Sequence, residues 1–229
     1  MLQPRRSNIT MKLALFDLDN TLLAGDSDFE WAQFLIDQGV LERAAYESRN
    51  LEFYEQYKAG TLNIFEFLDF QLRPLARYPR HVLDAWHRQF MTERIQPMIR
   101  DSARALVAQH QGEVRVIITA TNRFVTAPIA AAFGIEYLIA TDPEERAGQF
   151  TGGVSGTPCF QAGKIERLEA WLAERSASLK TVEKSTFYSD SRNDLPLLQA
   201  VTHPVAVDPD ETLRQHAMAQ GWPVMSLGN

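Results

Sequence analysis

Short, unbroken apolar runs punctuate the chain, and each ends in a cluster of small polar or acidic residues. Lys12-Leu-Ala-Leu-Phe16 stops at Asp17, and Val114-Arg-Val-Ile-Ile118 stops at Thr119. Residues 137–140, 186–188 and 204–207 repeat the pattern. Runs this short, rich in Val, Ile and Leu and without polar alternation, read as strands covered on both faces, as in a parallel sheet. Helical periodicity fills the gaps between the later runs, over residues 100–110, 123–133, 164–176 and 194–200. Strand alternating with helix predicts an α/β fold with a doubly wound, mainly parallel sheet.

Residues 26–95 break this rhythm and contain no convincing strand. Ser27 followed by Glu30 reads as a capping box, with Trp31, Phe34 and Leu35 at helical spacing behind it. Thr61 is expected to open a further helix with Ile64, Phe65 and Leu68 on one face, and a last helix is expected over 80–91. The segment therefore reads as a helical insert between the first and second strands, closing near Pro97. The organisation expected is a core domain of residues 11–25 and 96–229, a helical cap domain of 26–95, and a flexible tail at 1–10, with Met11 as an alternative start. The Gly- and Thr-rich stretch 148–160 reads as a β-hairpin on the edge of the core.

Composition narrows the function classes. With 229 residues, 45% hydrophobic and 23% charged, the chain has the make-up of an ordinary globular protein. A net charge of −6 argues against a nucleic-acid partner, which needs a basic footprint. A phosphate substrate is compatible with it, because a few local cations and a metal overcome the global field. Arg5 and Arg6 are not followed by an apolar stretch, so neither a signal peptide nor a membrane span is expected. The single cysteine, Cys159, excludes an intramolecular disulfide and fits a reducing, cytoplasmic setting. The assembly is expected to be a monomer or homodimer.

The candidate chemistry sits where the apolar runs end, at the carboxyl edge at which open α/β sheets bind ligands. Asp17 and Asp19 are two apart in an extended chain and so address one site. Such a pair is either a metal site or a nucleophile beside an acid/base. A calcium EF-hand loop is excluded, because its sixth position must be Gly and is Leu22 here. Thr119-Ala120-Thr121 supplies a hydroxyl and backbone N–H groups at a strand-to-helix turn, which either cradle an anion or cap the next helix. Lys164, after Gly163, is a point charge for a phosphate. Asp190 and Asp194 bring further carboxylate to the same edge, and hard oxygen ligands suit Mg²⁺; Asp194 could equally serve as a helix-start charge. None of the five histidines has metal-ligand spacing, and no Walker A or GxGxxG sequence occurs.

Taken in order, Asp17-x-Asp19-x-Thr21, Thr119, Lys164 and Asp190-Ser-x-x-Asp194 resemble the four motifs of the haloacid dehalogenase superfamily. The helical insert and the hairpin before Lys164 resemble its phosphoserine phosphatase-like subgroup. One departure is Thr119-Ala120-Thr121 where that subgroup commonly has Ser-Gly-Gly. The resemblance implies a Mg²⁺-dependent phosphatase acting on a small phosphate ester. Asp17 would be the nucleophile and Asp19 the acid/base. Mg²⁺ would be held by Asp17, Asp190 and the backbone carbonyl of Asp19. Thr119, Ala120, Lys164 and Asn193 would bind phosphate, supported by Asp194.

The resemblance also makes histidinol phosphate or phosphoserine the expected substrate. Asp26, nine residues after Asp17, stands where the phosphoserine enzymes usually place a Glu for the substrate ammonium, although it can instead cap the helix at Ser27. Arg43, Arg49, Arg73 and Arg77 are the cap candidates for a substrate carboxylate. A phosphotransferase on the same core, or a non-catalytic phospholigand-binding protein, are the alternative functions. A dehalogenase would not need the second carboxylate, Asp19.

Overall fold

The structure, a computed structural model, describes residues 11–228, so the tail expected at 1–10 lies outside the described residues. Its centre is a seven-stranded sheet of order β4-β3-β2-β1-β5-β6-β7. The strands are β1 (Lys12–Phe16), β2 (Val114–Asn122), β3 (Tyr137–Arg146), β4 (Gln149–Ser155), β5 (Lys184–Ser189), β6 (His203–Val207) and β7 (Val224–Met225). All neighbours pair in parallel except β3 and β4. β1 lies between β2 and β5, with Leu15 opposite both Val116 and Phe187.

The apolar runs behave as two-faced strands. Leu13, Leu15, Val116, Ile118 and Phe187 face one hydrophobic cluster, covered by α8 (Ala162–Ala173), α9 (Leu195–Ala200) and α10 (Glu211–Gln220). Ala14, Phe16, Ile117 and Tyr188 face the other, covered by α6 (Asp101–Gln109) and α7 (Arg123–Ala132). Alternate residues of one strand thus feed opposite cores, which is why these strands show no polar alternation.

Between β1 and β2 run α1 (Ser27–Asp37), α2 (Arg43–Ala59), α3 (Ile64–Leu72), a 3₁₀ turn (Arg73–Arg77), α4 (Arg80–Phe90), a π-helical turn (Met91–Ile95) and α5 (Gln96–Met98). The chain leaves and re-enters the core side by side, where Leu23 bridges Ile99 and the Ala24 N–H donates to the Met98 carbonyl. The second hydrophobic cluster continues without interruption into this segment through Trp31, Phe34, Leu72, Leu83 and Phe90. Trp31 stands edge-on to Phe124 of α7, and His87 Nε2 is 2.9 Å from the Val125 carbonyl.

Four local expectations need correction. The N-cap of α1 is Asp26, whose Oδ1 accepts from the N–H groups of Asp28 and Phe29; Ser27 is already the first helical residue, so no Ser27–Glu30 capping box forms. The helix expected from Thr61 starts at Ile64 behind an Asn63 cap. The 17-residue α2 was not marked by the apolar pattern, because only Tyr46 and Phe53 of it are buried. The hairpin lies earlier than residues 148–160. It pairs the end of β3 with β4 through Ala147 and Gly148, at φ 50° and 75°, and the two positive φ values supply the right-handed twist of a two-residue turn.

Candidate active site

Asp17 is the first residue past β1, and its N–H donates to the Tyr188 carbonyl of β5, which fixes it at the carboxyl edge of the sheet. It is 7% exposed. Lys164 Nζ lies 2.8 Å from its Oδ1 and 2.7 Å from the Asp194 carboxylate. Ser189 donates to that same carboxylate at 2.7 Å. Asp194 is therefore a buried partner of Lys164; it also stands at the N-cap position of α9, as the helix-start reading expected, but makes no side-chain cap hydrogen bond there.

Thr21 joins the other pair of carboxylates. Its hydroxyl lies 2.9 Å from Asp190 Oδ1 and 3.4 Å from Asp17 Oδ2, and it accepts from the Asp190 N–H at 3.0 Å. The sequence between Asp19 and Thr21 turns through Asn20 at φ 59°, a left-handed value that Asn tolerates better than most residues. The Asp19 carboxylate has partners of its own. It accepts from the Ser27 N–H at 2.7 Å and from the Thr121 hydroxyl at 2.8 Å, with Thr119 Oγ1 at 3.5 Å. Thr119 and Thr121 are free for this because Asn122 caps α7, its Oδ1 accepting from Val125 N–H. Ala120 stays in β2, its carbonyl taking the Thr141 hydroxyl at 2.8 Å.

Burial shapes the electrostatics. It pushes the Asp17 carboxyl up to about 7; Lys164 pulls it down and Asp194 pushes it further up. Burial likewise raises Asp19 to about 6, with the charge of Asp26 adding to it and the Ser27 and Thr121 hydrogen bonds opposing. Asp190 is raised well above the usual carboxylate range by burial and by Asp17. Burial disfavours the charge on Lys164, but Asp17 and Asp194 outweigh it and hold the ammonium protonated. Asp17 and Asp194 flank the one ammonium and Asp190 lies beyond Thr21, which leaves a surplus of negative charge. That surplus and the hard oxygen donors fit a divalent cation of the Mg²⁺ type, which takes one or two carboxylates and completes its shell with water and phosphate. Among the described residues no three His, Cys, Asp or Glu side chains converge as a cage.

These raised values carry a stability consequence. An acid whose folded pKa exceeds its ordinary 3.8 binds its proton more tightly in the folded state. The stabilisation is complete below about 4 and is lost as pH rises through about 7. In chelator, the Tm of Asp17→Asn relative to the unmodified protein should rise steadily across that window, read by thermal melts at each pH. A constant difference would mean that Asp17 titrates as an ordinary carboxylate.

The loop before α8 is strained and tightly packed. Gln161 has φ 49° and ψ −119°, and its Nε2 donates to Asn193 Oδ1 at 3.0 Å. A Cβ on Gly163 would lie 2.1 Å from the Pro158 carbonyl oxygen. Gly163→Ala should therefore lower stability by about 1–3 kcal/mol, the usual cost of overpacking, and should weaken activity by displacing Lys164. Denaturant unfolding and steady-state rates check both; an unchanged protein would mean that this approach is looser than the structure has it.

Some site groups carried no readable sequence signal. Tyr57 of α2 lies 2.7 Å from Ser191 Oγ, hydroxyl to hydroxyl. Asn193 Nδ2 donates to the Tyr57 carbonyl at 3.3 Å, and Arg192 Nη1 to the Lys58 carbonyl at 3.4 Å. Asn193, expected among the phosphate ligands, is here a strut between Gln161, Ser191 and the helical insert. Asp26 acts as a helix cap through Oδ1. Three of the four candidate arginines of the insert pair at the surface: Arg43 with Asp37 and Glu47, Arg49 with Glu52, Arg73 with Asp69. Cys159 is fully buried, and burial pushes its thiol up to about 12, which suits a packing residue.

Comparison with known proteins places this geometry. The family model for haloacid dehalogenase-like hydrolases matches residues 14–199. A histidinol-phosphatase of Neisseria meningitidis serogroup C is 48% identical over 218 residues, covering 94% of this chain and 98% of the relative. A solved structure of a Bordetella pertussis Tohama I protein of unknown function superposes with a TM-score of 0.89 at 47% identity, covering 95% of this chain and 99% of that one. A phosphoserine phosphatase solved as a phospho-aspartyl intermediate analogue shares the fold, with a TM-score of 0.66 at 18% identity, covering 96% and 95%. With a family model spanning most of its length and the motif residues brought to one sheet edge, the chain belongs to the haloacid dehalogenase-like hydrolases.

Proposed function

We propose that this phosphatase is a Mg²⁺-dependent phosphomonoesterase that hydrolyses a small amine-bearing phosphate ester of the histidinol phosphate type through an aspartyl-phosphate on Asp17. The observation that carries the reading is the buried Asp17 carboxylate, held at one oxygen by Lys164 with the other near the Thr21 hydroxyl, which also bonds Asp190. Such a group is fixed as an in-line nucleophile and cannot swing away. The reaction forms a bond from an Asp17 oxygen to phosphorus as the ester P–O bond breaks. Asp19, raised to about 6, gives its proton to the departing alkoxide. It then takes a proton from the water that attacks the aspartyl-phosphate, which returns both carboxyl groups to their starting states. Thr119, Lys164 and the backbone at Ala120 hold phosphoryl oxygens; Asp194 and Ser189 keep Lys164 in place. Asp17, Asp190 and the Asp19 carbonyl would hold the metal, which when bound offsets the charge between carboxylate and phosphate.

The histidinol phosphate type is favoured over phosphoserine on one ground. The nearly full-length Neisseria relative carries that name. A cytoplasmic site of action accords with this reading; no helix among the described residues is long and apolar enough to cross a membrane. The test is steady-state hydrolysis of histidinol phosphate, phosphoserine and para-nitrophenyl phosphate, each in chelator and after added Mg²⁺. Activity should vanish in chelator and return with Mg²⁺, with the highest kcat/KM for histidinol phosphate. Full activity in chelator would refute the metal assignment, and a preference for phosphoserine would refute the substrate assignment.

A further inference from the structure

The helix α2 is attached to the core differently from the rest of the insert. The hydrophobic cluster that runs from the core into the insert draws on α1, α3 and α4 and on no residue of α2. The two buried side chains of α2, Tyr46 and Phe53, pack within the insert, Tyr46 on Phe70 and Phe53 on Phe67 and Phe70. The hydrogen bonds that join α2 to the core lie at its C-terminal end. Apolar contact is non-directional and tolerates sliding, whereas a hydrogen bond fixes distance and angle. A helix joined in this way sets the position of whatever it bonds.

Three of these bonds converge on one short loop, the segment between Asp190 and Asp194. The Tyr57 hydroxyl lies 2.7 Å from Ser191 Oγ. Asn193 Nδ2 donates to the Tyr57 carbonyl at 3.3 Å, and Arg192 Nη1 to the Lys58 carbonyl at 3.4 Å. The Lys58 carbonyl belongs to the last turn of α2, where carbonyls lack helical partners and the helix dipole favours a cation. Gly60 ends the helix at φ 73°, and a Cβ there would lie 3.1 Å from Arg192 Nη2, so the turn is fitted closely to this arginine. Ser191 and Asn193 are buried. Ser191 Oγ also accepts the Asn193 N–H at 3.2 Å, so the hydroxyl that meets Tyr57 is one that shapes the loop. From the core side, the Asp190 N–H is held by the Thr21 hydroxyl at 3.0 Å, and the Asp190 carbonyl takes the Asp210 N–H at 2.8 Å. The loop is thus gripped from the core at Asp190 and from the insert at residues 191–193.

We infer that Tyr57 is a positioning residue for the metal-binding loop: through Ser191 its hydroxyl keeps Asp190 placed for a divalent cation. The inference rests on the reading of Asp190 as a metal ligand and adds that a helix of the insert helps to set it. The core bonds alone fix the backbone at Asp190; the bond from Tyr57 fixes the residue that follows. Such coupling is reciprocal, so a cation at Asp190 in turn steadies the seat of α2 on the loop.

The experiment is calorimetric titration of Mg²⁺, without substrate, into the unmodified protein, Tyr57→Phe, Ser191→Ala and the double variant, with a thermal melt in chelator to show that each is folded. Tyr57→Phe removes only the hydroxyl and keeps the ring beside Phe160, where the centroids are 6.2 Å apart. It should raise the Kd for Mg²⁺ by about 3–10-fold, the range for one neutral hydrogen bond. In the Ser191→Ala background the same substitution should change Kd no further, because the bond is already absent. Hydrolysis of para-nitrophenyl phosphate by Tyr57→Phe should fall at low Mg²⁺ and recover at saturating Mg²⁺, which a merely loosened fold would not do. An unchanged Kd, an equal loss in the Ser191→Ala background, or a loss of turnover that Mg²⁺ does not restore would each overturn the positioning role. Those results, with normal Mg²⁺ binding by the unmodified protein, leave the metal reading intact. If the unmodified protein binds no Mg²⁺, the metal reading fails and the inference fails with it.

Discussion

Asp17→Asn should reduce turnover by about five to six orders of magnitude, the scale seen when a covalent nucleophile is removed, while the protein stays folded. An amide oxygen cannot form the acyl-phosphate bond. The substitution does not strand Lys164, which keeps Asp194 at 2.7 Å, so the site loses a charge without leaving a buried ammonium unpaired. Removing one of three crowded carboxylates also relieves Asp190, whose acid is raised partly by Asp17. Loss of activity with an unchanged or higher Tm is therefore the expected signature. Beryllofluoride should bind the unmodified protein and not the variant. Residual activity within a hundredfold of the starting enzyme would remove Asp17 from its assigned role.

Asp19→Asn should cost less and should depend on the leaving group. General acid–base catalysis contributes about two to four orders of magnitude. An alkoxide leaving group, as in histidinol phosphate, needs the proton and should show the full loss. Nitrophenolate leaves without help in the first step and should show a smaller one. The side chain of Asp19 is held by Ser27 N–H and the Thr121 hydroxyl. Asparagine can keep at least the Ser27 contact through its carbonyl, so the geometry survives and the difference reports the proton. Equal losses for both leaving groups would argue that Asp19 acts by position or charge alone.

The parts of this molecule that were legible in its sequence are those in which local pattern and burial coincide. β1 reads as a buried strand because all of Leu13, Ala14, Leu15 and Phe16 are fully buried, two toward each face. Asp17, Asp19, Lys164, Asp190 and Asp194 were nameable because each follows or opens a readable element, and the structure brings Asp17, Lys164 and Asp194 within hydrogen-bond distance. Thr21 was visible as a motif residue, but its role as the bridge from Asp17 to Asp190 depends on a contact across 169 residues, which no local pattern encodes.

Other features were hidden for identifiable reasons. α2 is mostly solvent-facing, so helical periodicity of apolar residues gave it no signature. The capping box at Ser27 and Glu30 failed because Asp26, one residue earlier, is the better-placed cap and takes two N–H groups. The hairpin shifted because β3 runs on past residue 140 to Arg146, and the turn settles at Ala147-Gly148 rather than within the Gly-rich stretch that follows. The bonds that Asn193 makes with Gln161 and with the Tyr57 carbonyl join distant parts of the chain, which no local pattern encodes.

The most direct test of the account is chemical trapping of the intermediate. Borohydride added during turnover of histidinol phosphate with Mg²⁺ reduces an aspartyl-phosphate to homoserine, which peptide mass spectrometry locates. The account predicts homoserine at position 17 and at no other acidic residue, and none in Asp17→Asn. Phosphate release at the full rate with position 17 unmodified, or with homoserine at another aspartate, would contradict it.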